Sequence, residues 1–269
     1  MTKEEYVEGK IKAGHILHEN DGVWWETTRK GYCKPAVKYE IVRPRAAKPA
    51  FAKRIIGYNH RVEHMNQASG YWQPFLMKEE GINSWSLDNL SSGNRRRRIR
   101  KGLRNCTVEV VKDIHQYKED ISRILKSTAI RNGHGFPPEY YDMEKKEWWE
   151  VIEKVALYTE FWCAFSEGKL IAYICLHVMG ERVVVDGVKS DTDFLSNCPI
   201  DAILHGIMTS LKERGGIKEM WYGGKSSRKT LDDYKESYGF EVVKVPYTIR
   251  LGAGLIKYPK FMGRNLTDK

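Results

Sequence analysis

Trp221-Tyr-Gly-Gly-Lys-Ser-Ser227 is followed by Leu231-Asp-Asp-Tyr-Lys-Glu-Ser-Tyr-Gly-Phe-Glu241 and then by an alternating run from Val242 to Leu251. The apolar stretch Ile217 to Tyr222 predicts a strand that ends at the Gly223-Gly224 opening. Thr230 to Ser237 predicts a short helix carrying Tyr234 and Lys235. Gly239 turns the chain, and the alternation beyond it predicts a closing β-hairpin.

Upstream, the same reading gives further strands and helices. Leu157–Phe165, Lys169–Met179 and Arg182–Lys189 are apolar runs joined by Ser166-Glu-Gly-Lys and Met179-Gly-Glu, so three antiparallel strands are expected. A helix from Cys198 to Arg214 follows, with Ser196 or Asn197 as its cap, Pro199 in its first turn and Gly215-Gly216 closing it. Before the strands, Ile114 to Arg131 has Ile114, Tyr117, Ile121, Ile124 and Leu125 at helical spacing, and Glu139 to Val155 predicts a second amphipathic helix. Asn132 to Pro138, with His134 between glycines, reads as a loop. Residues 1–93 are shorter pieces, with strands expected at Gly22–Glu26, Val37–Val42 and Arg54–Tyr58, and a loop at Arg43–Pro49. No internal repeat is visible. The expected organisation is an accessory region (1–93), a main α+β domain (94–251) with a mixed central sheet flanked by helices, and a tail (252–269).

Composition limits the function classes. At 269 residues with 41% hydrophobic and 12% aromatic content, the chain can build a core without staples. Five cysteines, an odd number with no C-x-x-C pair, read as buried reduced thiols, and no metal site is expected. No apolar run approaches the roughly 18–20 residues of a membrane span, and the first ten residues lack an apolar leader core, so a cytoplasmic protein is expected. The net charge of +10 is local: Asn94 to Arg104 holds seven basic residues, and the remainder carries only +3. Its partner is expected to be anionic.

The element order from about residue 94 to 251 resembles a GNAT acyltransferase domain, closest to the branch of Fem-type aminoacyl transferases. A second motif supports this. Fem-like proteins carry Ser-x-x-x-Arg-x-x-Ile-Arg-Lys before the transferase core, and Ser91, Arg95, Arg98, Ile99, Arg100 and Lys101 follow that order approximately. Such a domain is implied to let an amine attack an activated acyl carbon directly, which needs a base, alignment and oxyanion stabilisation but no nucleophilic triad. The chain has no Gly-x-Ser-x-Gly elbow and no His-Glu-x-x-His motif.

Candidate residues lie at the strand ends. Asp186, which interrupts an apolar strand after Val183-Val-Val, is a candidate base, against a turn-capping role beside Gly187. Tyr222 is a candidate to orient the acyl oxygen or protonate the leaving group, against ordinary packing. Arg95, Arg97, Arg98, Arg100 and Lys101, together with Asn197, Lys225 and Ser226, are candidate donor- or phosphate-binding groups, against a solvated surface. Tyr234 and Tyr238, four apart, are expected to pack, and His177 and His205 to sit in the core or at its rim.

The donor loop departs from the family. Coenzyme A-dependent GNAT enzymes place Gln/Arg-x-x-Gly-x-Gly/Ala here, so that bare helix-terminal amides hold the pyrophosphate. This chain has Ser190 to Pro199, without glycine and with Asp191, Asp193 and Asp201 nearby, an arrangement that opposes a pyrophosphate. Acyl-CoA and aminoacyl-tRNA both stay open as donor, with an amine-bearing acceptor and tRNA as a candidate partner. A non-catalytic nucleic-acid-binding protein on a degenerate GNAT scaffold is the third reading.

Overall fold

The computed structural model describes residues 1–28, 31–43, 57–133 and 135–251. The remainder of the expected 43–49 loop, residues 54–56, His134 and the 252–269 tail lie outside the described residues. In chain order the elements are α1 (Lys3–Lys12), β1 (Ile16–Asn20), β2 (Val23–Thr27), β3 (Tyr32–Pro35), β4 (Gly57–Arg61), β5 (Gly70–Trp72) and β6 (Pro74–Lys78). They continue with α2 (Glu79–Asn83), α3 (Gly93–Asn105), β7 (Thr107–Val111), α4 (Lys118–Asn132), α5 (Glu147–Ala156), β8 (Glu160–Ser166), β9 (Lys169–Met179) and β10 (Arg182–Ser190). The last are α6 (Pro199–Arg214), β11 (Glu219–Gly224), α7 (Lys229–Glu236), β12 (Glu241–Val242) and β13 (Val245–Leu251).

Two compact units divide the chain, Met1–Gly14 with Gln73–Val243, and His15–Trp72 with the segment from Lys244. The division therefore falls at residue 73 rather than 93. The reason is β6: its Phe75-Leu-Met77 core is buried, and it pairs antiparallel with both β11 and β12 inside the larger unit's sheet.

The larger unit has a seven-stranded sheet in the order β12-β6-β11-β10-β9-β8-β7, in which only β10 and β11 run parallel. Strand β9 is apolar at nearly every position because both of its faces are covered. Ile174, Leu176 and Val178 point to the face where Ile203, Ile207 and Leu211 of α6 pack, residues spaced four apart along one helix side. Tyr173 and Cys175 point to the opposite face and meet Ile121, Ile124 and Leu125 of α4 with Trp148 and Trp149 of α5. Burying each of these side chains contributes about 1.5–3 kcal/mol, so helix attachment on both faces is secured by packing rather than propensity.

The smaller unit has a six-stranded sheet in the order β1-β2-β3-β4-β13-β5, with β3 and β4 parallel and the other neighbours antiparallel. Its order repeats that of β8-β9-β10-β11-β6-β12. Each of these six-strand series is a three-strand meander, a crossover to a parallel strand, an inserted strand from elsewhere in the chain, and a short edge strand, with β7 added beside β8 in the larger sheet. The repeat is one of topology alone, and no sequence repeat marks it.

Several expectations are corrected. The terminal hairpin does not form, because β12 takes its hydrogen bonds from β6 while β13 takes its own from β4 and β5. Val37–Val42 is not a strand: Tyr39 adopts φ 60°, the chain turns, and the strand is Tyr32–Pro35 instead. Helix α5 begins only at Glu147, with a single 3-10 turn at Pro138–Tyr141 before it. At α6 the cap is Cys198, in the left-handed region with no side-chain hydrogen bond, rather than Ser196 or Asn197.

Candidate active site

The parallel ladder between β10 and β11 pairs Arg182 with Glu219, Val183 with Met220 and Val184 with Trp221, and then stops. Beyond that point β10 stays bonded to β9 on its other side, and Gly224 of β11 pairs with Pro74 of β6. The facing edges of Val185–Ser190 and Tyr222–Gly224 are thus left without each other as partners. Such edges offer backbone donors and acceptors to an extended ligand.

Asp186 stands at this divergence. A bulge between Val185 and Gly187 sets it outside the β9 register and re-aims its side chain, which is 46% exposed. Its Oδ2 lies 3.3 Å from Nε2 of the buried His177. The other ring nitrogen, Nδ1, is 3.1 Å from Thr159 Oγ1. Tyr158 stacks on the imidazole at 5.6 Å, and Tyr6 meets it edge-on at 5.6 Å. With the Thr159 hydroxyl donating to Nδ1, the Nε2–H faces Asp186, which fixes the orientation of the carboxylate.

Tyr222 is the first residue after the last parallel pair, and it belongs to the opposite face. It packs in the α6 core, edge-on to Phe240 at 5.5 Å. Burial pushes its phenol far above the ordinary value, so the hydroxyl keeps its proton at neutral pH. Lys235 Nζ lies 5.4 Å over the Tyr222 ring and donates to the Gly224 carbonyl at 2.8 Å. The structure therefore does not bring Asp186 and Tyr222 together on one face. They flank the same opening from its two sides.

The basic helix divides into two faces. Ser92 caps α3 by accepting from the Arg95 amide. Arg95, Ile99 and Gly102 are buried. Arg95 pairs with the buried Asp201, donates to Ser237 Oγ at 2.9 Å, and lies 4.2 Å over Tyr234 and 4.9 Å over Tyr238. Arg98 reaches the other Asp201 oxygen at 3.1 Å, and Tyr238 donates its hydroxyl to Oδ1 at 2.8 Å. Arg95 is thus an interior cation neutralising Asp201 and not a surface phosphate contact, and Arg98 is held by the same acid. Arg97, Arg100, Lys101 and Arg104 are exposed, spaced i, i+3, i+4 and i+7 on the outer face. Gly102 allows the close approach behind this arrangement, since a Cβ there would meet the Cys198 carbonyl oxygen at 2.6 Å.

The loop between β10 and α6 has its polar groups already engaged. The Thr192 amide donates to Ser127 Oγ at 2.7 Å, Asp193 to Asp191 Oδ1 at 3.2 Å, Phe194 to the Asp191 carbonyl at 3.3 Å and Cys198 to the Leu195 carbonyl at 3.1 Å. Of the three acids expected to repel a pyrophosphate, Asp191 is bound by Arg123 and Asp201 by Arg95 and Arg98. Only Asp193 stays exposed, so the obstacle is occupied amides more than negative charge. Asn197 donates to Ser166 Oγ at 3.4 Å, and its carbonyl accepts from Cys106 Sγ, which makes it a brace for the loop. Ser226 is a turn residue: its amide donates to Asp232 Oδ1 at 2.9 Å, and its hydroxyl accepts from the Arg228 amide at 3.0 Å. Lys225 is exposed, with its amide on the Gln73 carbonyl.

Sequence reading missed the pairing of His177 with Asp186 and the interior role of Asp201. An acid in the first turn of α6 signals only a favourable helix end. Among the described residues no group of three or more His, Cys, Asp or Glu forms a metal-binding cluster, and no helix is long and apolar enough to cross a membrane.

No protein-family model matches the chain, and neither does any curated protein sequence. Solved structures do match. The C-terminal DUF2156 domain of a lysylphosphatidylglycerol synthetase-type protein from Agrobacterium fabrum has a TM-score of 0.62 and 11% identity, covering 93% of this chain and 88% of that one. FemX has a TM-score of 0.61 and 13% identity, covering 90% of each chain. A tandem GNAT protein from the clavulanic acid biosynthesis pathway has a TM-score of 0.50 and 7% identity, covering 91% and 87%. At such identities the likeness is one of fold: the chain has the GNAT fold.

Proposed function

We propose that the protein transfers an acyl group from an activated donor to an amine, with the acyl carbon seated between the diverging edges of β10 and β11. The observation that carries this reading is the end of the parallel ladder at Val184 and Trp221, with Asp186 and Tyr222 on opposite sides of the opening. The acceptor amine approaches on the Asp186 side. Its lone pair forms the new N–C bond while the carbonyl π electrons move onto oxygen, where free strand-edge amides stabilise the charge. Collapse of that intermediate expels the donor's heteroatom. The nitrogen's proton passes to the half-exposed Asp186 carboxylate, and the Tyr222 hydroxyl, on the donor side, supplies a proton to the leaving atom and is reprotonated from solvent.

For the donor, two observations favour an aminoacyl-tRNA over an acyl-CoA. The amides that would cradle a pyrophosphate are engaged within the 190–198 loop. The outer face of α3 presents four exposed cations in one stripe, suited to successive backbone phosphates. Calorimetry and a transfer assay with acetyl-CoA and with charged tRNA test both parts. Binding and transfer from charged tRNA alone is the expected result. Micromolar acetyl-CoA binding would overturn the donor assignment, and RNA binding without any transfer would overturn catalysis and leave a nucleic-acid-binding protein.

A further inference from the structure

Two cations on the Asp186 side of the opening have no acidic partner among the described residues. Lys189, three residues beyond Asp186 on β10, is half-buried, and it makes no hydrogen bond or ion pair among the described residues. Its register partner Tyr173 belongs to the α4 face of the sheet, which places Lys189 on that face with the His177-paired Asp186. Arg131, in the last turn of α4, is Lys189's charged neighbour. Among the described residues its side-chain bonds go to neutral groups: the Ser190 carbonyl at 3.1 Å, Ser190 Oγ at 3.5 Å and Thr192 Oγ1 at 2.8 Å. The adjacent carboxylate, Asp191, is taken by Arg123. A half-buried lysine beside an arginine, with no carboxylate for either, is a costly arrangement unless an anion completes it.

No side chain of β10 stands between Asp186 and Lys189 on that face. Gly187 is the residue between them on that face, since Val188 packs toward α6, and a Cβ at Gly187 would meet Cys175 Sγ at 3.3 Å. Burial and the neighbouring Asp186 push the Cys175 thiol up while Lys189 pulls it down, so both charged groups lie around this one sulfur. Three residues of strand advance roughly 10 Å, which sets the scale of the separation.

We infer that Lys189 and Arg131 form an oxyanion subsite for the acceptor, so that the acceptor carries a carboxylate about 8–10 Å from the amine that Asp186 receives. The inference rests on the acyl-transfer reading for the identity of the amine, but the subsite is tested by binding alone. Calorimetry on the full chain would compare 6-aminohexanoate, whose extended length fits this span, with hexylamine, which lacks the carboxylate. The expected result is at least tenfold tighter binding of 6-aminohexanoate, with the advantage lost in Lys189→Met and reduced in Arg131→Gln. Arg131 is exposed, so its variant stays informative if Lys189→Met fails to fold. Equal binding of the two probes, no binding of either, or an advantage unchanged in the folded variants would overturn the subsite. In a transfer assay the same variants should raise the acceptor KM and leave the donor KM unchanged. A raised donor KM would assign the cations to the donor instead. Absence of transfer with the binding difference intact would count against the acyl-transfer reading and not against the subsite.

Discussion

Asp186 on β10 and Asp201 in the first turn of α6 are both carboxylates, and their surroundings give them opposite uses. Asp201 is 1% exposed and saturated by Arg95, Arg98 and Tyr238. Replacing it with Asn strands the buried Arg95 guanidinium, so Asp201→Asn should destabilise the fold by about 3–5 kcal/mol, read as a lowered midpoint in urea. Asp186 lies 3.3 Å from His177 and its side chain is half-exposed. Asp186→Asn should therefore lower turnover on the order of 10²- to 10⁴-fold with little change in the urea midpoint. A variant that unfolds early yet keeps its specific activity would make Asp186 a structural cap. Apolar periodicity identifies neither role, because both acids follow apolar runs and the distinguishing cations come from distant segments.

At the scale of elements, α3 shows how one helix serves two ends. Its inner face, with Arg95, Ile99 and Gly102, docks on α6, while Arg97, Arg100, Lys101 and Arg104 remain outside. Changing Arg97, Arg100 and Lys101 together to Ala should leave stability within about 0.5 kcal/mol, as for ordinary surface positions. RNA affinity should fall, and the slope of log affinity against log salt should flatten by roughly one for each phosphate no longer neutralised. A triple change that includes Arg95 would instead test the core. The existence of α4, α6 and α7, and of the meander β8-β9-β10, was legible because apolar spacing, caps and tight turns are local signals. The partners of β6 and β13 were not, because a strand's own alternation says which face is buried but not which strand lies beside it. The bulge at Asp186 and the engaged amides of the 190–198 loop depend on tertiary hydrogen bonds and leave no pattern of their own.

Across the whole molecule, each sheet takes its inserted strand from a distant part of the chain. β6 enters the sheet that β8–β11 build nearly a hundred residues later, and β13 enters the sheet begun by β1–β4. A chain ending at Val243 would lack β13, leaving β5 without its ladder and β4 without its antiparallel neighbour. Hydrogen exchange on that chain should show fast exchange throughout β1–β5 and retained protection in β8–β10. Equal protection of both sheets would show that the smaller unit closes without its last strand. The same connectivity sets an order on the ribosome. The smaller sheet is the first to leave the exit tunnel and the last to be finished, since β4 waits for Tyr247–Leu251 and β5 for Val245–Tyr247. During synthesis the β4 and β5 edges stay open as templates for foreign strands, a period in which a chaperone able to cover strand edges would matter most.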